Sequence, residues 1–103
     1  MYKLTVFIPD NALEPVKSAL FNAGAGTIGN YQQCCWQVQG TGQFMPLVGS
    51  NPNIGAHNSL EMLNEWRVEM VVDDRAIHEV ITALKNAHPY ETPAYDVIKV
   101  VDL

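Results

Sequence analysis

Apolar and polar residues alternate in three stretches of this chain, with the period of two that is typical of half-buried β-strands. The first stretch covers residues 2–8, and the second is Gln33–Gln39. The third begins at Glu61 and places four apolar residues on one face: Trp66, Val68, Met70 and Val72. A fourth strand, Tyr95–Val101, is predicted after two closely spaced prolines. The pattern therefore predicts four strands.

Two segments between these strands have apolar residues at helical spacing. Asn11 and Glu14 have the spacing of a capping box, and the apolar residues that follow at helical spacing predict a first helix that runs to about Gly24. The second is predicted to begin after Asp73 or Asp74 and to end near His88. The apolar stripes consist of Leu13, Val16, Leu20 and Ala23 in the first helix and of Ile77, Val80, Ile81 and Leu84 in the second.

The predicted order is strand, helix, strand, strand, helix, strand, with a long hairpin insertion at about residues 40–60. This is the βαββαβ order of the ferredoxin-like split βαβ fold, an α+β fold with an antiparallel sheet. A chain of 103 residues is the size of one domain, which we place at residues 1–103.

Both helices of this fold cover one face of the sheet and leave the other face bare. We expect Phe7, Cys35 and Val71 on the bare face, and Trp36 and Trp66 in the core. Because a bare face with apolar residues on so small a domain favours a partner, the pattern predicts self-association.

Composition narrows the possible partners. The net charge is −5, which opposes binding to a phosphate backbone, so we expect no nucleic-acid partner. No apolar run approaches the roughly 20 residues that span a bilayer, so we expect a cytoplasmic protein with no membrane partner. Cys34 and Cys35 are adjacent and do not form a disulfide framework. Residues 18–60 contain no Asp, Glu, Lys or Arg, and they contain all 7 glycines.

Gly24-Ala25-Gly26-Thr27-Ile28-Gly29 matches the dinucleotide-binding pattern G-x-G-x-x-G. That fingerprint requires a strand before it and a helix after it, and here a helix precedes and a strand follows. We therefore interpret Gly24 as the left-handed residue that ends the first helix.

The residues with the most chemistry lie between His88 and Asp96, where Pro89 and Pro93 force the chain to bend. This corner is either a rigid connection or a binding site. The candidate ligand-binding residues are Tyr31, Cys34, Phe44, Tyr90 and Glu91. The candidate metal ligands are His88, Glu91 and Cys34, although none has the paired spacing of a zinc site and His88 can instead bind a backbone carbonyl. Catalysis by a Cys34 nucleophile has no supporting motif, so no catalytic residue is predicted.

Four groups of residues together resemble the insert domain of YqfO-type proteins, which are members of the Nif-three-like family. They are Gly29-Asn30-Tyr31 with Cys34, Gly40-x-Gly42-x-Phe44-x-Pro46, Gly49 with Pro52 and Gly55, and His88-Pro89-Tyr90-Glu91-x-Pro93-Ala94-Tyr95-Asp96. The match spans almost the whole chain. The last group also resembles the corner of CutA, a trimeric ferredoxin-like protein linked to divalent-metal tolerance and related in architecture to PII signalling proteins. Ala94 stands where CutA usually has an acidic residue, which weakens the transfer of a metal role.

The resemblance implies a non-enzymatic, trimer-forming CutA/PII-like module that binds a small molecule or a metal ion between subunits. YqfO-type proteins carry a dinuclear metal centre in two flanking halves, and its motifs have no counterpart here, so their suggested hydrolase-like activity is not carried over. The chain therefore looks like a stand-alone insert domain, without the two flanking halves. The alternative function is divalent-metal binding of the CutA kind, and a divalent metal ion is then the one candidate cofactor.

Overall fold

The computed structural model describes residues 1–103, which form four strands and two α-helices. The strands are β1 (Tyr2–Pro9), β2 (Trp36–Phe44), β3 (Glu61–Val72) and β4 (Tyr95–Lys99), and the helices are α1 (Leu13–Asn22) and α2 (Ile77–Ala87). The strands form one antiparallel sheet in the order β2-β3-β1-β4. The predicted ferredoxin-like fold is therefore confirmed. Neither helix is long and apolar enough to cross a membrane.

One hydrophobic core joins the helices to the two central strands. Because successive side chains of a strand point to opposite faces, every second residue of β1 and of β3 points into this core. The core residues on β1 and β3 are Leu4, Val6, Ile8, Val68, Met70 and Val72, and those on the helices include Val16, Leu20, Val80 and Leu84. No residue of β2 belongs to the core, because β2 lies at the edge of the sheet.

The predicted helix caps are wrong at both N-termini. A turn of 3₁₀-helix at Asp10–Ala12 precedes α1, and Ala12 occupies the cap position without a side-chain hydrogen bond. Trp66 Nε1 donates to Asp10 Oδ1 at 2.6 Å and holds this turn against β3. At α2 the cap residue is Ala76, while Asp73 accepts a hydrogen bond from the backbone N–H of Arg75 at 2.9 Å.

The second strand starts and ends later than predicted. It begins at Trp36, continues through Gly40 and Gly42, and ends at Phe44, so the connection to β3 covers residues 45–60. Its cross-strand pairs Trp36–Glu69 and Val38–Arg67 place Trp36 and Val38 on the face away from the helices.

Two side chains are consequently on the other side from the one predicted. Trp36 is 61% exposed and not in the core, whereas Cys35 packs against the core and not on the bare face. The prediction assumed that the apolar side of β2 faces the core, and an edge strand beyond the helices does not obey that rule. Trp66 packs against the core as expected.

Gly24 ends α1 as predicted. Its φ of +111° allows the N–H of Ala25 to donate to the carbonyl of Leu20 and its own N–H to donate to the carbonyl of Phe21, both at 3.0 Å. These are the two hydrogen bonds of a Schellman motif. A Cβ atom at Gly24 would also lie 3.3 Å from the Cβ of Ala76, just before α2.

We expect Gly24→Ala to lower the free energy of unfolding by about 1–2 kcal/mol, and by more than Gly29→Ala does, because L-residues are strained at positive φ and the Cβ added at Gly24 would also press against Ala76. Urea denaturation at one fixed protein concentration measures the loss. Gly29→Ala is the matched control, since Gly29 has φ +55° and no neighbour within 4 Å of an added Cβ. Equal losses in the two variants would contradict the role assigned to the contact between Gly24 and Ala76.

Candidate functional site

His88 fastens the proline corner to the end of β1. Its side chain is only 5% exposed, and its Nε2 lies 2.8 Å from the carbonyl oxygen of Phe7. The N–H of Tyr90 donates to His88 Nδ1 at 3.1 Å. Because Nδ1 is an acceptor, the ring proton lies on Nε2 and is donated to Phe7. The N–H of Phe7 in turn donates to the carbonyl of Ala94 at 3.1 Å.

Burial lowers the pKa of His88 below its ordinary value, despite the opposing effects of the Phe7 carbonyl and of Glu65. The ring is therefore neutral at pH 7, and both of its nitrogens make hydrogen bonds within the chain. This is the arrangement that the carbonyl-binding interpretation of His88 predicts.

Tyr90 connects the corner to the sheet. Its hydroxyl donates to Glu65 Oε2 at 2.8 Å, and its ring lies 4.8 Å from the His88 ring and 5.9 Å from the Phe44 ring, centroid to centroid. Burial, followed by the hydrogen bond and negative charge of Glu65, raises the pKa of Tyr90 above its ordinary value. Tyr90 is thus a neutral donor that orients the Glu65 carboxylate.

Gly42 provides the space for that carboxylate. A Cβ atom at Gly42 would overlap the Glu65 side chain, whereas one at Gly40 would meet nothing within 4 Å. A glycine inside a strand often marks a close approach of this kind.

A cleft of about 400 Å³ opens beside this group, between the corner and the connection 45–60. Glu91 bridges the two, since the N–H of Asn51 lies 3.2 Å from each of its carboxylate oxygens. The lining residues are Gln43, Phe44, Met45, Pro46, Leu47, Ser50, Pro52, Asn53, Ile54, Glu65, Tyr90, Glu91, Thr92 and Ala94. A concave and largely apolar cleft with a few oriented polar groups is typical of a small-molecule site.

The structure brings together only some of the residues predicted from the sequence. Phe44, Tyr90 and Glu91 line the cleft, and His88 lies behind Tyr90. Tyr31 is 75% exposed and Cys34 precedes β2, whose length of about 26 Å separates that region from Phe44 within one chain.

Glu65 and Gly42 were missed as site residues. The signals in the sequence were an acidic residue at an outward position of β3 and the Gly-x-Gly spacing at the start of the predicted insertion.

No three His, Cys, Asp or Glu side chains come close enough together to hold a metal ion. The predicted set of His88, Glu91 and Cys34 is therefore not assembled within one subunit, and a site shared between subunits stays a prediction. The cavity of about 320 Å³ beside Cys34 has no histidine in its lining, and its Lys3 and Glu69 side chains are paired with each other at 3.2 Å.

We expect acid to destabilise the fold through His88. A histidine whose pKa is lowered by folding binds fewer protons in the folded state, so stability is complete above the unfolded pKa of about 6.5 and falls as the pH drops below it. The loss cannot exceed about 1.4 kcal/mol per pH unit for one proton. Urea denaturation at several pH values between about 7 and 5 should give a shallower slope for His88→Gln than for the original chain. His78→Gln, on the exposed side of α2, is the control, and an unchanged slope in His88→Gln would refute the role of His88.

We expect Gly42→Ala to displace Glu65 and so return the pKa of the Tyr90 phenol towards its ordinary value near 10. Without the carboxylate, the phenolate loses a repulsive neighbour and the phenol loses an acceptor. The ring signals of ¹³C-labelled tyrosine, followed between about pH 9 and 11, measure the change. Gly40→Ala, on the same strand with open space around it, should leave Tyr90 unaffected. Identical titration curves for both variants would contradict this assignment.

Comparison with known proteins identifies the relatives of this chain. No family model matches it. A GTP cyclohydrolase 1 type 2 homolog of Mycobacterium tuberculosis is 46% identical over 99 residues, which are 96% of this chain and 26% of that protein. The crystal structure of a Bacillus cereus protein related to NIF3 superposes with a TM-score of 0.83 and 40% identity, over 98% of this chain and 26% of the other.

The fold also occurs in smaller proteins. CutA1 of Pyrococcus horikoshii superposes with a TM-score of 0.70 at 18% identity, over 100% of this chain and 86% of that protein. At this identity the similarity shows the fold alone. The chain spans about a quarter of the length of the curated relatives that it matches. The resemblance predicted from the motifs is therefore confirmed: the chain is homologous, over nearly its whole length, to a segment of the Nif-three-like GTP cyclohydrolase 1 type 2 homologs, and it has the fold of CutA.

Proposed function

We propose that this chain is a non-enzymatic binding module that acts as a homotrimer and holds its ligand in the cleft beside Tyr90. The observation that carries this proposal is the outward-facing apolar side of β2. Trp36, Val38 and Phe44 all lie on the sheet face that the helices leave bare, while the alternate positions are Gln37, Gln39, Thr41 and Gln43. An apolar side that has no core to face within its own chain favours a partner surface.

The other strands also place apolar residues on the bare face, which supports self-association. The cross-strand pairs put Phe7 and Val71 on this face, as predicted, and Ile98 on β4 joins them. Three of the charges here are paired with one another, since Lys3 Nζ and the Arg67 guanidinium each lie 3.2 Å from Glu69 Oε1. These two cations hold the pKa of Glu69 below its ordinary value. Covering charges that are paired beforehand costs less than covering isolated ones.

The edge of the sheet offers a second contact. β2 has nine residues without a charge or a proline, so its outer backbone groups are free to pair with another chain. An edge that contacts a different surface of the next copy generates a closed ring when the rotation between copies closes. The number of three copies comes from the resemblance to CutA.

Self-association would also complete the cleft. Met45 and Leu47 at its rim are exposed in the single chain, which leaves apolar surface for a neighbouring subunit to cover. Tyr31 and Cys34 precede β2 and lie too far away along it to reach their own cleft, so in the proposed trimer they lie at the cleft of a neighbouring copy.

The cleft has no nucleophile paired with a histidine base. His88 uses both ring nitrogens within the corner. His57 Nε2 lies 2.8 Å from the Ser50 carbonyl oxygen, and the Ser50 hydroxyl donates to the Leu47 carbonyl. A binding role therefore fits the cleft better than catalysis.

We expect the chain to form trimers at micromolar concentration and Val38→Lys to weaken the assembly at least about tenfold, since a charge on an edge strand opposes pairing. Sedimentation velocity over a concentration series measures the dissociation constant. Thr82→Lys is the matched control, because Thr82 is exposed on α2, on the side of the sheet away from the bare face. A monomeric original chain at these concentrations would refute the proposal.

A further inference from the structure

We propose that the cleft binds a small organic cation, an amine or a guanidine with an apolar body, and rejects phosphates and carboxylates. This inference rests on the proposed function for the location of the site and adds the chemical class of the ligand. It follows from the charge, the geometry and the walls of the cleft.

The cleft is negatively charged throughout. Glu65 and Glu91 are the only ionised side chains in its lining, and no Lys, Arg or His contributes to it. The connection 45–60 belongs to the segment 18–60, which contains no Asp, Glu, Lys or Arg. Arg67, two residues from Glu65, is paired with Glu69 and lies 5.8 Å from the Phe7 ring. An anion entering the cleft would thus meet two carboxylates and no cation.

Both carboxylates retain unused acceptor positions. Glu65 accepts one hydrogen bond from the Tyr90 hydroxyl, and Glu91 accepts the N–H of Asn51. An ionised carboxylate offers about four acceptor sites, so each can receive further N–H donors. Glu65 is held in place by Tyr90 and by the space at Gly42, which reduces the entropy lost when a ligand binds.

The aromatic and apolar walls of the cleft fit the apolar body of an organic cation. The Phe44 and Tyr90 rings lie 5.9 Å apart at an angle of 56°, and Pro46, Pro52 and Ile54 complete an apolar surface. Aromatic faces attract cations through their quadrupoles and repel anions. An apolar body would therefore pack on the rings while its charged end contacts the carboxylates.

Three probes of similar shape but different charge test this inference. Benzylammonium is a cation, benzyl alcohol is neutral and benzoate is an anion. We expect benzylammonium to shift the amide NMR signals of Asn51, Tyr90 and Glu91 and to bind at least about tenfold more tightly than benzyl alcohol. Benzoate should produce no shift. The preference should decrease as salt is added, because the cleft is open to solvent.

Glu65→Gln should reduce the affinity for benzylammonium about tenfold and leave that for benzyl alcohol unchanged, since glutamine keeps the shape and removes the charge. Glu91→Gln provides a second, exposed position whose substitution does not risk the fold. Glu79→Gln, on the exposed side of α2, is the control for total charge. Equal binding of the cation and the alcohol, tighter binding of benzoate, or no response to millimolar benzylammonium would each overturn the inference.

These outcomes are distinct from the test of the proposed function. A monomer that prefers the cation would refute the trimer and leave the ligand class standing. A trimer that prefers benzoate would refute the ligand class and leave self-association standing.

Discussion

The buried imidazole of His88 is the constraint on which the site depends. Pro89 and Pro93 deprive the corner of backbone donors, and the hydrogen bond from His88 to the Phe7 carbonyl replaces part of what a regular ladder would supply. The same ring accepts a hydrogen bond from the backbone N–H of Tyr90, which fixes the position of the Tyr90 backbone. The position of the phenol, and hence that of the Glu65 carboxylate, follows from this one side chain.

The cleft also depends on how the strands pair across the sheet. Glu65 is on β3, Gly42 is on β2 and Tyr90 is in the corner after α2, so the cleft exists only when three distant segments are in register. The pairing of Gly40 with Glu65 and of Gly42 with Leu63 puts both glycines on the same face as the acid, and the Glu65 side chain lies over Gly42. A slip of one residue would turn Glu65 towards the core face and remove the polar side of the cleft.

Prediction from the sequence succeeded where one face of an element is buried against the core. β1, β3 and the stripe of α2 were predicted correctly, because burial imposes a clear period on Val68, Met70 and their neighbours. It failed for Trp36 and Cys35, because the apolar side of an edge strand faces whatever covers it, and periodicity does not distinguish a core from a partner. The predicted helix caps were wrong because tertiary contacts, such as that of Trp66 with Asp10, determine where the helices begin.

The sequence alone determined the ferredoxin-like order of elements, the left-handed ending at Gly24 and the importance of the proline corner, since each follows from local sterics or from the period of burial. The corner motif also drew attention to Tyr90 and Glu91. Only the tertiary structure decided that Glu65 and Gly42 belong with them and that Tyr31 and Cys34 lie apart from them within one chain. The physical reason is that a binding cleft is formed by side chains from separate strands, and their meeting depends on strand register and on the face of the sheet, which no local pattern specifies.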